Sequence, residues 1–263
     1  MEWKKSEGKV QAAIKGTSGE TIKKEFLTNP AEKDAAKETP YGEEESAQGQ
    51  QDRPVINIRA SGSKEIPLWD EEMVRQLSFL KSPIPGASIS TRDSQLPGAP
   101  RAYRNGTHEG LDYYNGYCGV SVHFGDPVYA AGAGIIYRID HDYSEPVTVE
   151  REEMLRLSAT AGDTPVDILD KFRGRQVWIV HAFGVVTRYA HLDTVSDQLQ
   201  VGDWVEAGTF IGTVGNSGTS NGARGIREDA HLHFEIWVEN CYLGEGLSPG
   251  EVRLLWQQVL DGN

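Results

Sequence analysis

The chain has 263 residues, 38% hydrophobic and 25% charged, with a formal net charge of −13. That balance suits a folded, water-exposed protein and argues against a nucleic-acid binder, which needs a basic face. No apolar run of 18 residues suggests a membrane span, the first twenty residues lack the apolar middle of a secretory signal, and two cysteines, Cys118 and Cys241, are too few for a disulfide framework; they could form one bridge but read rather as unpaired small hydrophobes.

Residues 1–53 are rich in Lys, Glu, Gln, Gly and Ser and poor in large apolar side chains. Such a stretch cannot offset its ordering entropy, which predicts a disordered acidic tail or linker with at most short helical pieces at "AAIKG" or "IKKEFL". Residues 54–100 form a lead-in. "PVINIRA" alternates in the manner of a short strand. "DEEMVRQLSFLKSP" predicts a helix, with Asp70 as N-cap, acidic residues in the first turn, Met73, Leu77 and Leu80 on one face and Pro83 as the stop. A Pro/Gly-rich stretch follows.

From residue 101 to 263 the texture changes to short β-branched and aromatic runs between Gly, Asp-Pro and Asn-Ser-Gly turns. "DPVYAAGAGIIYRI", "RQVWIVHAFGVVTRYAHL", "DWVEAGTFIGTVG" and "HLHFEIWV" predict strands, the second of them a hairpin. Tight turns between strands favour antiparallel over helix-crossed parallel pairing. Residues 140–175 read as a surface insertion with one helix, capped by Thr164 with Pro165 first and Asp167 third. "SPGEVRLLWQQVL" sets Ser248, Pro249 and Glu251 in capping-box spacing and predicts a closing helix. The expected fold is therefore mainly β: a compact antiparallel domain with a helical surface insertion, a C-terminal helix and a disordered N-terminal tail.

Seven histidines carry the chemistry. His231 and His233 are two apart in a strand-like run, so both imidazoles project from one face, about 6–7 Å apart at the backbone. One zinc could take both, or one ring could bind the metal while its neighbour reaches the metal-bound water. "HEGLD" begins like a zinc-protease helix motif, but Asn105, Gly106 and Gly110 disfavour a helix, and a loop entering a strand also brings His108 and Asp112 together. His, Asp and His make a three-ligand zinc set with one position left for water, the pattern of a catalytic site. His191, in "RYAHLD", shares strand parity with Tyr189 and Thr187 and offers a second polar group over the metal. His181 reads as packed in the hairpin, and His123 and His141 as surface residues.

Taken in order, "HEGLD", "TRYAHLD", "VGDWVEAGTFIGTVGNSGTS" and "HLHFEIW" closely resemble the lysostaphin-type (LytM-domain) zinc endopeptidases over residues 101–240. The resemblance implies one zinc ion on His108, Asp112 and His233, with His191 and His231 as catalytic residues, in a compact antiparallel β-fold with a groove over the metal. It implies hydrolysis of cross-link or stem peptides of bacterial peptidoglycan, and hence a place in the cell envelope or outside the cell. Tyr103 is a loose candidate for an extra oxyanion donor. Non-catalytic relatives that bind wall peptides or activate other hydrolases typically lack one or more of the five polar positions; all five are present here. The sequence departs from the pattern in three places: "YYNGYCGVSVHF" after Asp112, the 140–175 insertion, and "NGARGIREDA" before His231.

Overall fold

The computed structural model describes residues 3–6, 9–15, 21–27 and 66–260. The chain divides into two compact units, Met1–Pro54 and Val55–Asn263.

In the first unit, β1 (Trp3–Ser6), β2 (Lys9–Lys15) and β3 (Thr21–Leu27) pair antiparallel in that order. Composition predicts disorder or short helices here; the described residues differ because "KVQAAIK" and "TIKKEFL" both carry period-2 patterning, and their register sets Val10 opposite Phe26 and Ile14 opposite Ile22. The strand expected at "PVINIRA" lies outside the described residues.

The second unit opens with α1 (Glu71–Leu77), capped by the Asp70 carboxylate, which accepts from the Met73 N–H. Leu77 and Leu80 are fully buried beside the partly buried Met73, as the pattern expects. The helix stops well before Pro83, because Ser78 turns its backbone N–H and its hydroxyl onto the Arg75 carbonyl. Next come β4 (Pro100–Arg101), β5 (Gly106–Thr107), β6 (Leu111–Tyr114), β7 (Pro127–Tyr129) and β8 (Gly134–Ile139). The 140–175 segment carries two helices, α2 (Thr148–Thr160) and α3 (Val166–Phe172). Beyond it lie β9 (Val177–Val180), β10 (Val186–Ala190), β11 (Leu192–Val195), β12 (Trp204–Val205), β13 (Phe210–Val214), β14 (His231–Val238), β15 (Cys241–Tyr242) and α4 (Pro249–Leu260).

The strands pair antiparallel throughout. A large sheet runs β12-β8-β9-β10-β14-β15, and β6 also pairs with β14; β11-β13-β7 form a second sheet and β4-β5 a small ribbon. β9 and β10 make the expected hairpin. "DPVYAAGAGIIYRI" is not one strand: β7 and β8 belong to different sheets, split by the small residues 130–133, where Gly132 passes under the Phe79 ring. The Thr164 cap is also corrected. Pro165 precedes α3, while the Thr164 hydroxyl is taken by Arg104. α2 has no predicted counterpart, since only Arg151, Met154 and Ser158 of its thirteen residues are buried and no apolar stripe marks it. Ser248 donates its hydroxyl to Glu251 at the start of α4, in line with the capping-box spacing.

β14 is buried on both faces. Leu232, Phe234, Ile236 and Val238 enter the main core, where Phe234 meets Tyr189 and Trp256. His231, His233, Glu235 and Trp237 take the other face. Cys118 and Cys241 are both buried thiols.

His181 is buried at the end of β9, as the hairpin reading expects. Its Nδ1–H donates to the Ala133 carbonyl at 2.9 Å, leaving Nε2 to accept from the Thr187 hydroxyl at 2.7 Å. Burial holds its pKa down at about 4 against an ordinary 6.5. The unfolded chain therefore binds the proton first as pH falls. The stabilising contribution is complete above about pH 6.5 and lost as pH drops toward 4. That gap is worth about 3 kcal/mol. His181→Gln is expected to remove this share of the acid limb, read from urea unfolding of both chains at pH 7 and pH 4. An unchanged difference between the two pH values would remove His181 from the acid sensitivity.

Candidate metal centre and active site

β6 and β14 place the first pair of groups by register alone: Asp112 sits directly opposite His233, and Tyr114 opposite His231. His108 reaches them from the loop entering β6, held by two backbone hydrogen bonds, His108 N–H to Ala99 O and Gly98 N–H to His108 O, each 2.8 Å. "HEGLD" is thus a loop and strand, not a helix. Gly110 makes the turn possible. A Cβ there would lie 2.5 Å from the Phe234 carbonyl oxygen and 2.9 Å from His233 Cε1, closer than any side chain tolerates.

Three atoms converge. His108 Nε2, Asp112 Oδ1 and His233 Nδ1 lie 2.8–3.0 Å from one another, and all three residues are buried. The other nitrogen of each imidazole is committed. His108 Nδ1–H donates to the Leu96 carbonyl, and His233 Nε2–H to the Glu235 carboxylate, both at 2.9 Å. In the neutral rings this leaves the two inward nitrogens with lone pairs aimed at each other and at a carboxylate oxygen. Such a cluster needs a cation, and the N/N/O donor set suits zinc. Arg101 Nη2 holds the second Asp112 oxygen at 3.1 Å.

The electrostatics agree. Burial brings His108 down to about 4. Burial also opposes the Asp112 carboxylate, yet His108 and His233 outweigh it and hold Asp112 well below the usual carboxylate range. Burial disfavours the His233 imidazolium, but hydrogen bonds to Asp112 and Glu235 prevail and raise it.

His191 and His231 complete the cluster. Their ring centroids are 4.7 Å apart, and His231 Nε2 is 3.9 Å from Asp112 Oδ1. Each is anchored through Nδ1–H, His191 on Ser217 O at 2.7 Å and His231 on Asp229 O at 2.8 Å. Tyr114 stacks on His231 at 4.0 Å. Burial lowers both rings, and the neighbouring His231 and His233 press His191 down further. The parity expected for His191 does not hold. Tyr189 and Thr187 point to the core, whereas His191 leaves β10 in the left-handed region, φ 59°, which swings its ring onto the face of His231 and His233. Tyr103 stands exposed at the rim of the cavity. His123 lies exposed beside Asp126, and His141 bonds Leu199 O at the surface.

Sequence reasoning missed the groups behind the cluster. Fully buried Glu235 accepts from His233, from Arg173 Nε at 2.6 Å, from Arg188 Nη1 at 3.2 Å and from Trp237 Nε1 at 2.5 Å. Arg173, just beyond α3, also bridges to Glu109 at 2.5 Å. Glu235 was findable, since it lies two residues beyond His233 on the same strand face; Arg173 comes from the insertion and carries no local signal. All three departures from the sequence pattern border one cavity of about 700 Å³ over the histidines, through Tyr117, Arg151 and Asn221.

Glu235→Gln leaves Arg173 and Arg188 without their shared anion. The expected cost is about 3–5 kcal/mol, measured by urea unfolding against the parent chain. A loss below about 1 kcal/mol would show that the carboxylate charge is not what holds this face together.

The model of peptidase family M23 matches residues 106–244. No curated protein matches the chain. Among solved structures, a zinc-containing peptidase from Vibrio cholerae is similar at 20% identity and TM-score 0.38, over 63% of this chain and 38% of that one. The catalytic domain of the antimicrobial peptidase lysostaphin from Staphylococcus simulans shares 20% identity at TM-score 0.35, over 67% of this chain and 90% of that domain. The catalytic domain of the prophage-encoded M23 protein EnpA from Enterococcus faecalis shares 19% at TM-score 0.38, over 65% and 95%.

Proposed function

Since the chain belongs to peptidase family M23, we propose that it is a zinc-dependent endopeptidase acting on cross-link or stem peptides of peptidoglycan. One observation carries this reading: the inward lone pairs of His108, Asp112 and His233, with two further anchored imidazoles beside them. His108, Asp112 and His233 would hold the metal. Zinc there would supply a water with its pKa brought toward ~7 and a polarising charge for the scissile carbonyl.

The chain's own residues do the rest. With Nδ1–H fixed on backbone carbonyls, His191 and His231 each present a neutral Nε2. A neutral imidazole accepts the water proton; once protonated, its Nε2–H hydrogen-bonds the developing oxyanion and then passes that one proton to the leaving amine. No carboxylate base is required, and Glu109 faces Arg173 instead. Glu235 fixes the His233 tautomer that keeps Nδ1 open toward the metal. Peptidoglycan lies outside the membrane, so the working site is in the cell envelope or beyond it; among the described residues no helix is long and apolar enough to cross a membrane. A wall-binding or hydrolase-activating protein is the alternative, and chelator-sensitive cleavage separates the two.

His108→Ala and His233→Ala are expected to lose both zinc, measured by elemental analysis, and cleavage of purified wall. His191→Ala and His231→Ala are expected to keep zinc and lose cleavage by about 10²–10⁴-fold. Full activity in either pair would remove the corresponding assignment.

A further inference from the structure

Five arginines line the cavity over the histidines, in a chain whose net charge is −13. Three have evident roles. Arg173 is held between Glu109 and Glu235, Arg101 lies on Asp112, and Arg92 is exposed and lies over the Tyr117 ring. Asp229, the remaining acid at the cavity, receives the Asn221 amide at 2.9 Å.

Arg104 and Arg151 are different. They are 6% and 8% exposed, and among the described residues neither forms an ion pair. Arg104 donates only to neutral oxygens, Thr164 Oγ1 at 3.0 Å and Thr107 O at 2.5 Å. Arg151 lies over the Phe172 ring at 4.8 Å and donates through Nε to Ser220 Oγ at 3.0 Å and through Nη1 to Gly218 O, all of them neutral partners. Among the described residues its Nη2 has no acceptor, yet it is not among the buried orphaned nitrogens, so solvent reaches it, and the residue lines the cavity. Glu145 acts on Arg151 and Glu109 on Arg104 only at longer range, and a nearly buried guanidinium with no anion in contact is a costly arrangement. Burial lowers both from the ordinary arginine value. Both positions depend on the insertion. Arg151 is on α2, and the Arg104 segment is tied to the insertion through Thr164 and through the Asn105 amide on Ala161 O.

We propose that Arg104 and Arg151 form a carboxylate-binding subsite, so that the peptide taken by this cavity carries an acidic group near the cleaved bond. This assignment rests on the peptidase reading above and narrows its substrate class. Arg151 Nη2 makes the charge-assisted contact, and Arg104 adds positive potential to the same cavity.

The test compares a wall stem peptide with the same peptide after its carboxyl groups are converted to amides. Cleavage and calorimetric binding are measured on the zinc-loaded full chain, on Arg151→Gln and on Arg151→Lys. The expected result is a roughly 10- to 100-fold preference for the carboxylate form in kcat/KM. The ratio should fall toward one in Arg151→Gln and recover in part in Arg151→Lys. Cleavage without preference in the parent chain, or an equal loss on both peptides in Arg151→Gln, overturns the subsite and leaves the peptidase reading intact. Carboxylate-selective binding without cleavage keeps the subsite and removes the peptidase reading. Neither cleavage nor selective binding removes both.

Discussion

Three buried acceptor atoms, two imidazole nitrogens and a carboxylate oxygen, are forced within 3.0 Å of one another. No hydrogen lies between them when the rings are neutral, so the arrangement is repulsive unless a positive charge joins it. Much of the second unit can be understood as what holds this repulsion in place. The β6–β14 register sets Asp112 against His233 without any loop in between. Backbone pairing fixes the His108 loop, and the Leu96 carbonyl turns its ring. Carbonyls do the same for His191 and His231. A site whose side chains were free to rotate would relax apart in the absence of the ion; here the outer hydrogen bonds keep the donors aimed inward.

The charges behind the site tie the helical insertion to that arrangement. Arg173 follows α3 directly and reaches Glu235 on β14 and Glu109 beside His108. Burying two carboxylates and two guanidiniums is weak as a device for stability, because desolvation offsets most of the attraction. Its value is positional. Glu235 must be an anion with a fixed direction if His233 is to keep its proton on Nε2, and Arg173, Arg188 and Trp237 together leave that carboxylate one orientation. The insertion has its own small core of Met154, Ile168 and Phe172, so it can hold Arg173 steady. The same scaffold delivers His191. Its backbone N–H bonds the Arg173 carbonyl, and its ring bonds Ser217 O, where Gly218 packs so tightly on Gly174 that a Cβ would fall 2.5 Å from the Gly174 nitrogen.

Legibility in the sequence followed the range of the interactions. Groups set by strand parity were readable: His231 and His233 on one face, and the loop-to-strand step that joins His108 to Asp112. Glu235 obeys the same parity and was overlooked only because a glutamate two residues past a histidine has no meaning until the histidine is a ligand. His191 violates parity because a single left-handed residue at the end of β10 reverses its side, and nothing in "RYAHLD" announces a positive φ at a histidine. Thr164 looked like a cap because hydroxyl, proline and aspartate stood in capping order, but Arg104, 60 residues away, competes for the hydroxyl. α2 carries no sequence signal because only Arg151, Met154 and Ser158 of it are buried, which makes no apolar stripe. At Thr164 a long-range polar contact decided what a local pattern could not.

The use of imidazoles as the proton-handling groups follows from the charges already present. Asp112, Glu109 and Glu235 are all buried within this one site. A carboxylate base would add a fourth negative charge to the same low-dielectric pocket, and burial and like charges would push its pKa up unless a further cation paired with it. Imidazole faces the opposite balance. Burial and the neighbouring rings favour its neutral form, so His191 and His231 enter with lone pairs available and become charged only in the act of taking a proton. A cation formed on His231 stands 3.9 Å from Asp112, which favours it. The strand that carries His231 therefore needs its opposite face sealed in the core by Leu232, Phe234 and Ile236: water admitted behind β14 would screen the field that sets all of these protonation states at once.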